Sequence, residues 1–274
     1  MGESNTILHT SDAPVLAARE GDRLTVTINR PESRNALSRA VFAALARIFT
    51  DARTDDTLAF AVISGAGDRA FAAGGDLKEL DSLRDEADVS AFSRECRAAL
   101  ETIRSFPAPV IAALNGPALG GGAELALACD FRVAAHTAGI GFLQGKLSLT
   151  TAWGGGIDLM RLLGPTRAME LLLSSRIVPA PEALALGLID AAAAEGESLN
   201  AALTRFLDRF AHQTPRTARG CKALAAAYRR GAGQAELEAV ETAHYTRTWM
   251  HDDHWAAADA AKARLGAGGK GGAR

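Results

Sequence analysis

The chain is predicted to fold as an α/β layered structure, because strand-like and helix-like stretches alternate along its first half. Three stretches carry that reading: "RLTVTINR" (23–30), "AFAVISGAG" (59–67) and "APVIAALNG" (108–116). The first alternates apolar and polar residues, as a half-buried strand does. The other two are short apolar runs ended by glycine, the pattern of buried strands.

The segments between them read as helices. "RPESRNALS" (30–38) is a turn marked by proline and asparagine, and Ser38 then stands as N-cap before "RAVFAALARIFTDAR". "DVSAFSRECRAALETIRSF" (88–106) is helical in period and stops at Pro107. After the third strand, "GPALGGGAELALACD" (116–130) opens with glycines and continues as an apolar helix. "FRVAA" and "IGF" follow as short strands. From Pro165 nearly everything reads as helix, in "PTRAMELLLSS", "PEALALGL", "LNAALTRFLDRFAHQ", "TARGCKALAAAYRRG" and two more to about Leu265. The expected organisation is a core over 14–200, a C-terminal helical region over 201–265, and flexible tails at 1–13 and 266–274.

Composition narrows the function classes. The chain has 274 residues, 48% of them hydrophobic, and a net charge of -2. A balance this even gives no broad attraction to nucleic acid or membrane, so a phosphate-bearing ligand needs a local basic cluster. Cys96, Cys129 and Cys221 are far apart and odd in number, which argues against disulfides and a zinc site. The start, "MGESNTILHTSD", lacks the basic and apolar regions of a secretory signal. "MGESNT" matches the short myristoylation pattern, which chance often supplies. No apolar run reaches the ~18 residues of a membrane span. The expectation is a cytoplasmic protein with no metal.

Two glycine-rich loops follow buried strands and precede helices: "FAAGGDLKEL" (71–80) and "GPALGGGAEL" (116–125). Glycine lets backbone approach a ligand closely, and a helix start offers unpaired N–H groups. Two such loops can aim two N–H groups at one oxygen, as in an oxyanion hole. Rival motifs fit poorly. Neither loop contains G-x-G-x-x-G, "GFLQGK" is too short for a Walker loop, and no G-x-S-x-G occurs. His251 and His254 form an H-x-x-H pair without a third ligand, which reads as a surface helix. Glu124 stands out as one carboxylate in an apolar segment, expensive to bury unless paired or protonated. By itself it reads equally as a catalytic group or as a partner of a buried arginine or a loop.

Four stretches together resemble the crotonase superfamily, the enoyl-CoA hydratase/isomerase group: "NRPESRNALS", "AFAAGGDLKEL", "PVIAALNGPALGGGAELALACDFRVA" and "GKLSLTTAWGGGIDLMRLLGPTRAMELLL". The resemblance runs from about Leu24 to Arg264. It implies a spiral of repeated ββα units with a C-terminal helical region that builds a trimer, often doubled to a hexamer. It implies an acyl-CoA thioester as substrate, with coenzyme A entering as part of that substrate and no separate cofactor. It places oxyanion-hole amides at Ala73 and Gly121, and Glu124 at the first of two glutamates used by family hydratases. The substrate-binding set it implies is Arg34, Ala36, Ala73, Gly74, Gly75, Asp76, Leu77, Lys78, Gly121 and Trp153. Of these, Arg34 and Lys78 would meet the nucleotide of coenzyme A, and Asp76 also reads as a helix N-cap.

One departure affects the expected chemistry. Family hydratases carry a second glutamate in a "PExxLG" segment, and the ungapped reading puts Gln144 there. A glutamine amide orients groups by hydrogen bonding and exchanges no proton. Members with this glutamine and a following "TTxWGG" resemble acyl-CoA decarboxylases of the methylmalonyl or ethylmalonyl type; Trp153 lies in that segment and also reads as simple packing. Three expectations follow: an enzyme of hydratase/isomerase type, a short-chain acyl-CoA decarboxylase, or a non-catalytic acyl-CoA-binding scaffold that kept the fold.

Overall fold

A computed structural model describes residues 13–268. The tails expected to be flexible lie outside the described residues, save Ala13 and residues 266–268, which continue the last helix. The myristoylation pattern also lies outside them.

The chain begins with an antiparallel pair, β1 (Val15–Glu20) and β2 (Arg23–Ile28). In β2, Leu24, Val26 and Ile28 are fully buried while the residues between them are not, the period-two pattern expected of it. Helix α1 (Arg39–Asp51) follows, with the Ser38 hydroxyl accepting from Val41 N as its cap. Next come β3 (Phe60–Gly65), the short α2 (Leu77–Leu80), α3 (Glu86–Arg104), β4 (Val110–Leu114) and β5 (Ala118–Leu119). Then α4 (Gly121–Ala128), β6 (Phe131–Ala134) and β7 (Gly139–Gly141) complete the apolar middle of the chain.

Strands β2, β3, β4 and β6 are parallel neighbours, so helices must cross between them and both faces must be covered. The main sheet has six strands in the order β1-β2-β3-β4-β6-β9, where β9 is Ala191–Ala192. A second sheet, β5-β7-β8, includes β8 at Ile177–Pro179. Helices α5 (Gly155–Leu163) and α6 (Pro165–Ser174) lie between β7 and β8 in the chain, and α7 (Ala180–Leu186) packs on both strands.

One face of the main sheet packs on α1, α3 and α4 around Leu45, Phe49, Ile63, Leu100 and Ile103. The other face is covered by α8 (Leu199–Asp208), whose Ala202, Leu203 and Phe206 meet Val62, Ile111 and Val133. Thus the region beyond residue 200 opens within a helix that completes the chain's own core. Helix α9 (Pro215–Arg230) is tied to the sheet by a buried ion pair, Lys222 Nζ to Asp130 Oδ2 at 2.6 Å. Asp130 also accepts from Val110 N and from Arg229. Helices α10 (Gln234–Trp249) and α11 (Asp252–Gly268) end the chain, and α10 buries no residue.

The "HxxH" pair sits where α10 meets α11. His251 contacts Arg216 and Asp253, and His254 stacks on Trp249.

Candidate active site

Three loops follow the C-terminal ends of parallel strands: 29–37 after β2, 66–76 after β3 and 115–120 after β4. The carboxyl edge of a parallel sheet is where α/β folds place their sites. The loops are joined by backbone. Leu37 N donates to Gly74 O, Asp76 N to Leu37 O, Ala73 N to Arg34 O and Leu119 N to Ala72 O. The two glycine loops touch, with Gly74 Cα 4.0 Å from where a Cβ on Gly120 would sit.

These bonds correct one expectation. The Ala73 N–H is occupied by the Arg34 carbonyl at 3.0 Å, so it is not available to a ligand. Two residues further on, Gly75 N–H donates to nothing among the described residues, and neither does Gly121 N–H. Both glycines lie under the indole of Trp153. A Cβ on Gly75 would come within 3.2 Å of that ring, and one on Gly121 within 2.0 Å.

Trp153 is 7% exposed and meets Phe42 and Phe92 edge to face. Trp153 is therefore core, and its ring stands beside Gly75 and Gly121.

Glu124 lies on α4, all eight residues of which are buried. Its side chain takes three donors. Gln144 Nε2 donates to Oε1 at 3.0 Å; Trp153 N and Gly155 N donate to Oε2 at 2.8 and 2.9 Å. Burial pushes the Glu124 carboxyl above its ordinary value, and the amides of Gly155, Trp153 and Ala152 and the Gln144 side chain pull it back. An ionised carboxylate has about four lone-pair sites. Oε2 accepts twice and Oε1 once from the three donors within hydrogen-bond distance, and the Ala152 amide adds to the donors around the group.

Gln144 thus reaches Glu124, and its own Oε1 is buried without a partner. The position expected for a second glutamate is filled by an amide in contact with the first. Among the described residues no second carboxylate hydrogen-bonds to Glu124 or Gln144.

The remaining expected contacts divide. Arg34, Leu77 and Lys78 are exposed at the loop edge, Gly74 O accepts from Leu37 N, and Ala36 O accepts from Arg30 Nη1. Asp76 is committed to the protein, capping Lys78 N and pairing with Arg30 at 2.9 Å. The Arg30 hydrogen bond is the main cause holding its carboxyl below the ordinary value. The N-cap reading of Asp76 is the one this geometry bears out.

Sequence reasoning missed Asn35 and Asn115, which shape the loop after β3. Asn35 is fully buried and bonds Arg30 N, Ala66 O and Ala70 O. Its place in "NALS" after a turn was the available signal.

Comparisons with known proteins agree with this architecture. The enoyl-CoA hydratase/isomerase family model matches residues 20–260. Enoyl-CoA hydratase domain-containing protein 2, mitochondrial, from Bos taurus is 40% identical over 180 residues, covering 66% of this chain and 60% of that protein. Mouse mitochondrial methylglutaconyl-CoA hydratase is 37% identical, covering 66% and 57%. These alignments span about six-tenths of the relatives' length. A crystal structure of an enoyl-CoA hydratase/carnithine racemase from Magnetospirillum magneticum superposes with a TM-score of 0.85 at 32% identity, covering 95% and 96% of the two chains. Enoyl-CoA hydratase from Bacillus anthracis gives 0.81 at 29% identity, covering 96% and 97%.

Proposed function

As the chain belongs to the enoyl-CoA hydratase/isomerase family, we propose that it moves a proton on an acyl-CoA thioester through an enolate, with Glu124 as the proton carrier. The observation that carries this reading is a buried carboxylate, Glu124, about one helical turn along α4 from Gly121, with the Gly75 and Gly121 amides lacking a protein acceptor among the described residues.

In this mechanism the thioester oxygen accepts from Gly75 N–H and Gly121 N–H. Glu124 Oε1 takes a proton from the carbon beside the carbonyl; the C–H electron pair moves into the enolate, and its charge onto the oxygen. Each hole donor is worth about 3 kcal/mol in such sites. Placement of the acid/base residue contributes about 10²–10⁴-fold. A carboxyl raised by burial is suited to taking and returning a proton near neutral pH. Returning it to the γ carbon shifts a double bond and needs no second acid. Gln144 holds Oε1 from one side and cannot ionise, so isomerisation is favoured over hydration, which uses two carboxylates in this family.

A second reading has its own support. A carboxyl that retains its proton can protonate the carbanion left by decarboxylation, and the neutral Gln144 repels no substrate carboxylate. Arg34 and Lys78, both exposed at the loop edge, fit the phosphates of the nucleotide in either case. The fold also leaves α10 without a buried residue and Tyr245, Trp249, Met250 and Trp255 exposed. We assign that surface to a trimer, or a doubled trimer, of this chain.

The test is a panel of crotonyl-, 3-enoyl-, methylmalonyl- and ethylmalonyl-CoA, with products identified by mass spectrometry and released carbon dioxide measured. Conversion of 3-enoyl- to 2-enoyl-CoA supports the first reading. Carbon dioxide from the malonyl analogues supports the second. Binding across the panel without any product overturns both and leaves a scaffold.

A further inference from the structure

The segment Ala152–Gly155 donates to Glu124 from Trp153 N and Gly155 N, and two of its carbonyls, Ala152 O and Trp153 O, are held by one helix. On α3, Ser93 Oγ and Arg97 Nη2 both donate to Ala152 O at 2.9 Å. One side of the helix further along, Arg104 Nη2 donates to Trp153 O at 3.1 Å. Positions 93, 97 and 104 are spaced by four and seven, which keeps them on one helix face. Arg104 is itself fixed by Asp158 of α5 at 2.8 Å, and both side chains are nearly buried. Between the held carbonyls and the donating amides lies Gly154 at φ 99°, a conformation side chains resist. A Cβ there would also stand 2.8 Å from Arg104 Nη2.

A peptide unit held by its carbonyl has its N–H direction settled as well, since the unit is planar. We propose that Ser93 and Arg97, by holding Ala152 O, are positioning residues that aim the Trp153 N–H of that same peptide plane at Glu124 Oε2, and that Arg104, by holding Trp153 O, fixes the next plane and so the entry to Gly155, whose N–H donates to the same oxygen. This rests on the reading of Glu124 as the proton carrier. With Oε2 accepting twice and Oε1 once, Oε1 is the oxygen left for the substrate, so the clamp selects which oxygen works and how readily it holds a proton. Arg104 touches no reacting atom; it acts through the backbone.

Elements packed against α4 carry Glu86, Asp88, Arg94, Glu95, Cys96, Arg97, Glu101 and Arg104 on α3, Asp158 and Arg161 on α5 and Arg132 on β6. Burial pushes the Cys96 thiol up to about 12, so it stays neutral across the working range. Arg132 is turned toward Leu188 O and Asp190. The pair Arg104–Asp158 is the one whose removal changes both charge and geometry, and the test separates these.

The experiment titrates Glu124 directly, by carbon-13 carboxyl NMR on the full chain, with the signal assigned by its loss in Glu124→Gln. In Arg104→Met the apparent pKa of Glu124 is expected to rise by about one pH unit, because the ionised form loses aimed donors. The same rise is expected in the Arg104→Met/Asp158→Asn double variant, which removes the pair's charges together. Ser93→Ala, which changes no charge, is expected to give a smaller rise, and Arg104→Lys a partial return. Turnover in Arg104→Met is expected to fall about tenfold with acyl-CoA binding retained. If the double variant or Ser93→Ala titrates Glu124 within about 0.2 of the parent, the proposal is overturned. A shift confined to Arg104→Met also overturns it, since charge alone then accounts for the effect. Should Arg104→Met not fold, Ser93→Ala decides alone. If Glu124→Gln keeps full turnover while these shifts occur, the proton-carrier reading fails and the positioning stands.

Discussion

Asn35 and Asn115 donate to the same carbonyl, Ala70 O, at 2.8 and 3.1 Å. One side chain comes from the loop after β2, the other from the loop after β4, and between them they fix the loop after β3. Asn115 also accepts from Gly65 N at 2.9 Å and donates to Gly67 O at 2.7 Å. Asn35 sits at φ 56°, which asparagine tolerates better than alanine. Asn35→Ala is expected to lower stability by about 2–4 kcal/mol, since it strands buried backbone groups and adds backbone strain. Urea unfolding measures this; a loss under about 0.5 kcal/mol would count against the role.

Glu124→Gln is expected to lower turnover by at least about 10²-fold while leaving acyl-CoA affinity nearly unchanged. Steady-state kinetics paired with calorimetric binding separate the two effects. Equal loss in both would point to a damaged site instead of a missing proton carrier.

The same carboxyl makes stability depend on pH. Its folded value is raised above the ordinary 4.5, so the folded chain holds this proton more tightly than the unfolded chain does. Stability contributed by Glu124 is therefore lost as pH rises from about 4.5 through the raised value, and is level beyond it. The rate should move oppositely, rising through that window as the base form appears. Guanidinium unfolding at several pH values is expected to show a steeper fall in the parent than in Glu124→Gln. Parallel curves would show that Glu124 is not raised.

Trp153→Ala is expected to admit longer acyl chains, because the indole walls the space over Gly75 and Gly121. The ratio of kcat/KM for an eight-carbon over a four-carbon substrate should rise about tenfold or more. A stability loss of about 3–5 kcal/mol is expected alongside, from the vacated core. An unchanged ratio in a folded variant would make Trp153 packing alone.

Light scattering at micromolar concentration is expected to give a mass three or six times that of one 28.6 kDa chain. A mass of a single chain would mean that the aromatic surface of α10 and α11 serves something other than self-association.

Much of the fold was legible because its signals are local. The period-two pattern of β2, the buried runs of β3 and β4 and the Ser38 and Asp76 caps all depend on neighbours a few residues away. Strands β1, β5, β8 and β9 were not read. The last three have two or three residues each, too short for any period to show. Within the site, Glu124 and the glycine loops stood out by composition. The choice between Ala73 and Gly75 as an open amide did not, because it depends on which N–H the Arg34 carbonyl takes, and Arg34 reaches it through a left-handed turn at φ 52°. The α3 clamp joins residues some fifty positions apart, and nothing in "SRECRAALETIR" marks the carbonyls it holds.

The ion pair between Lys222 and Asp130 bears on how the molecule opens. Its members are 2% and 11% exposed, and burial holds the lysine below its ordinary value while Asp130 opposes that. If α9 lifted away, Asp130 would keep only its bond from Val110 N, at the edge of β4, and lose two cations. Fraying of α9 is thereby coupled to the centre of the sheet. In amide hydrogen exchange α9 and β4 should be protected as one cooperative unit, while α10, whose ion pair to α9 through Glu236 and Arg230 is exposed, exchanges first.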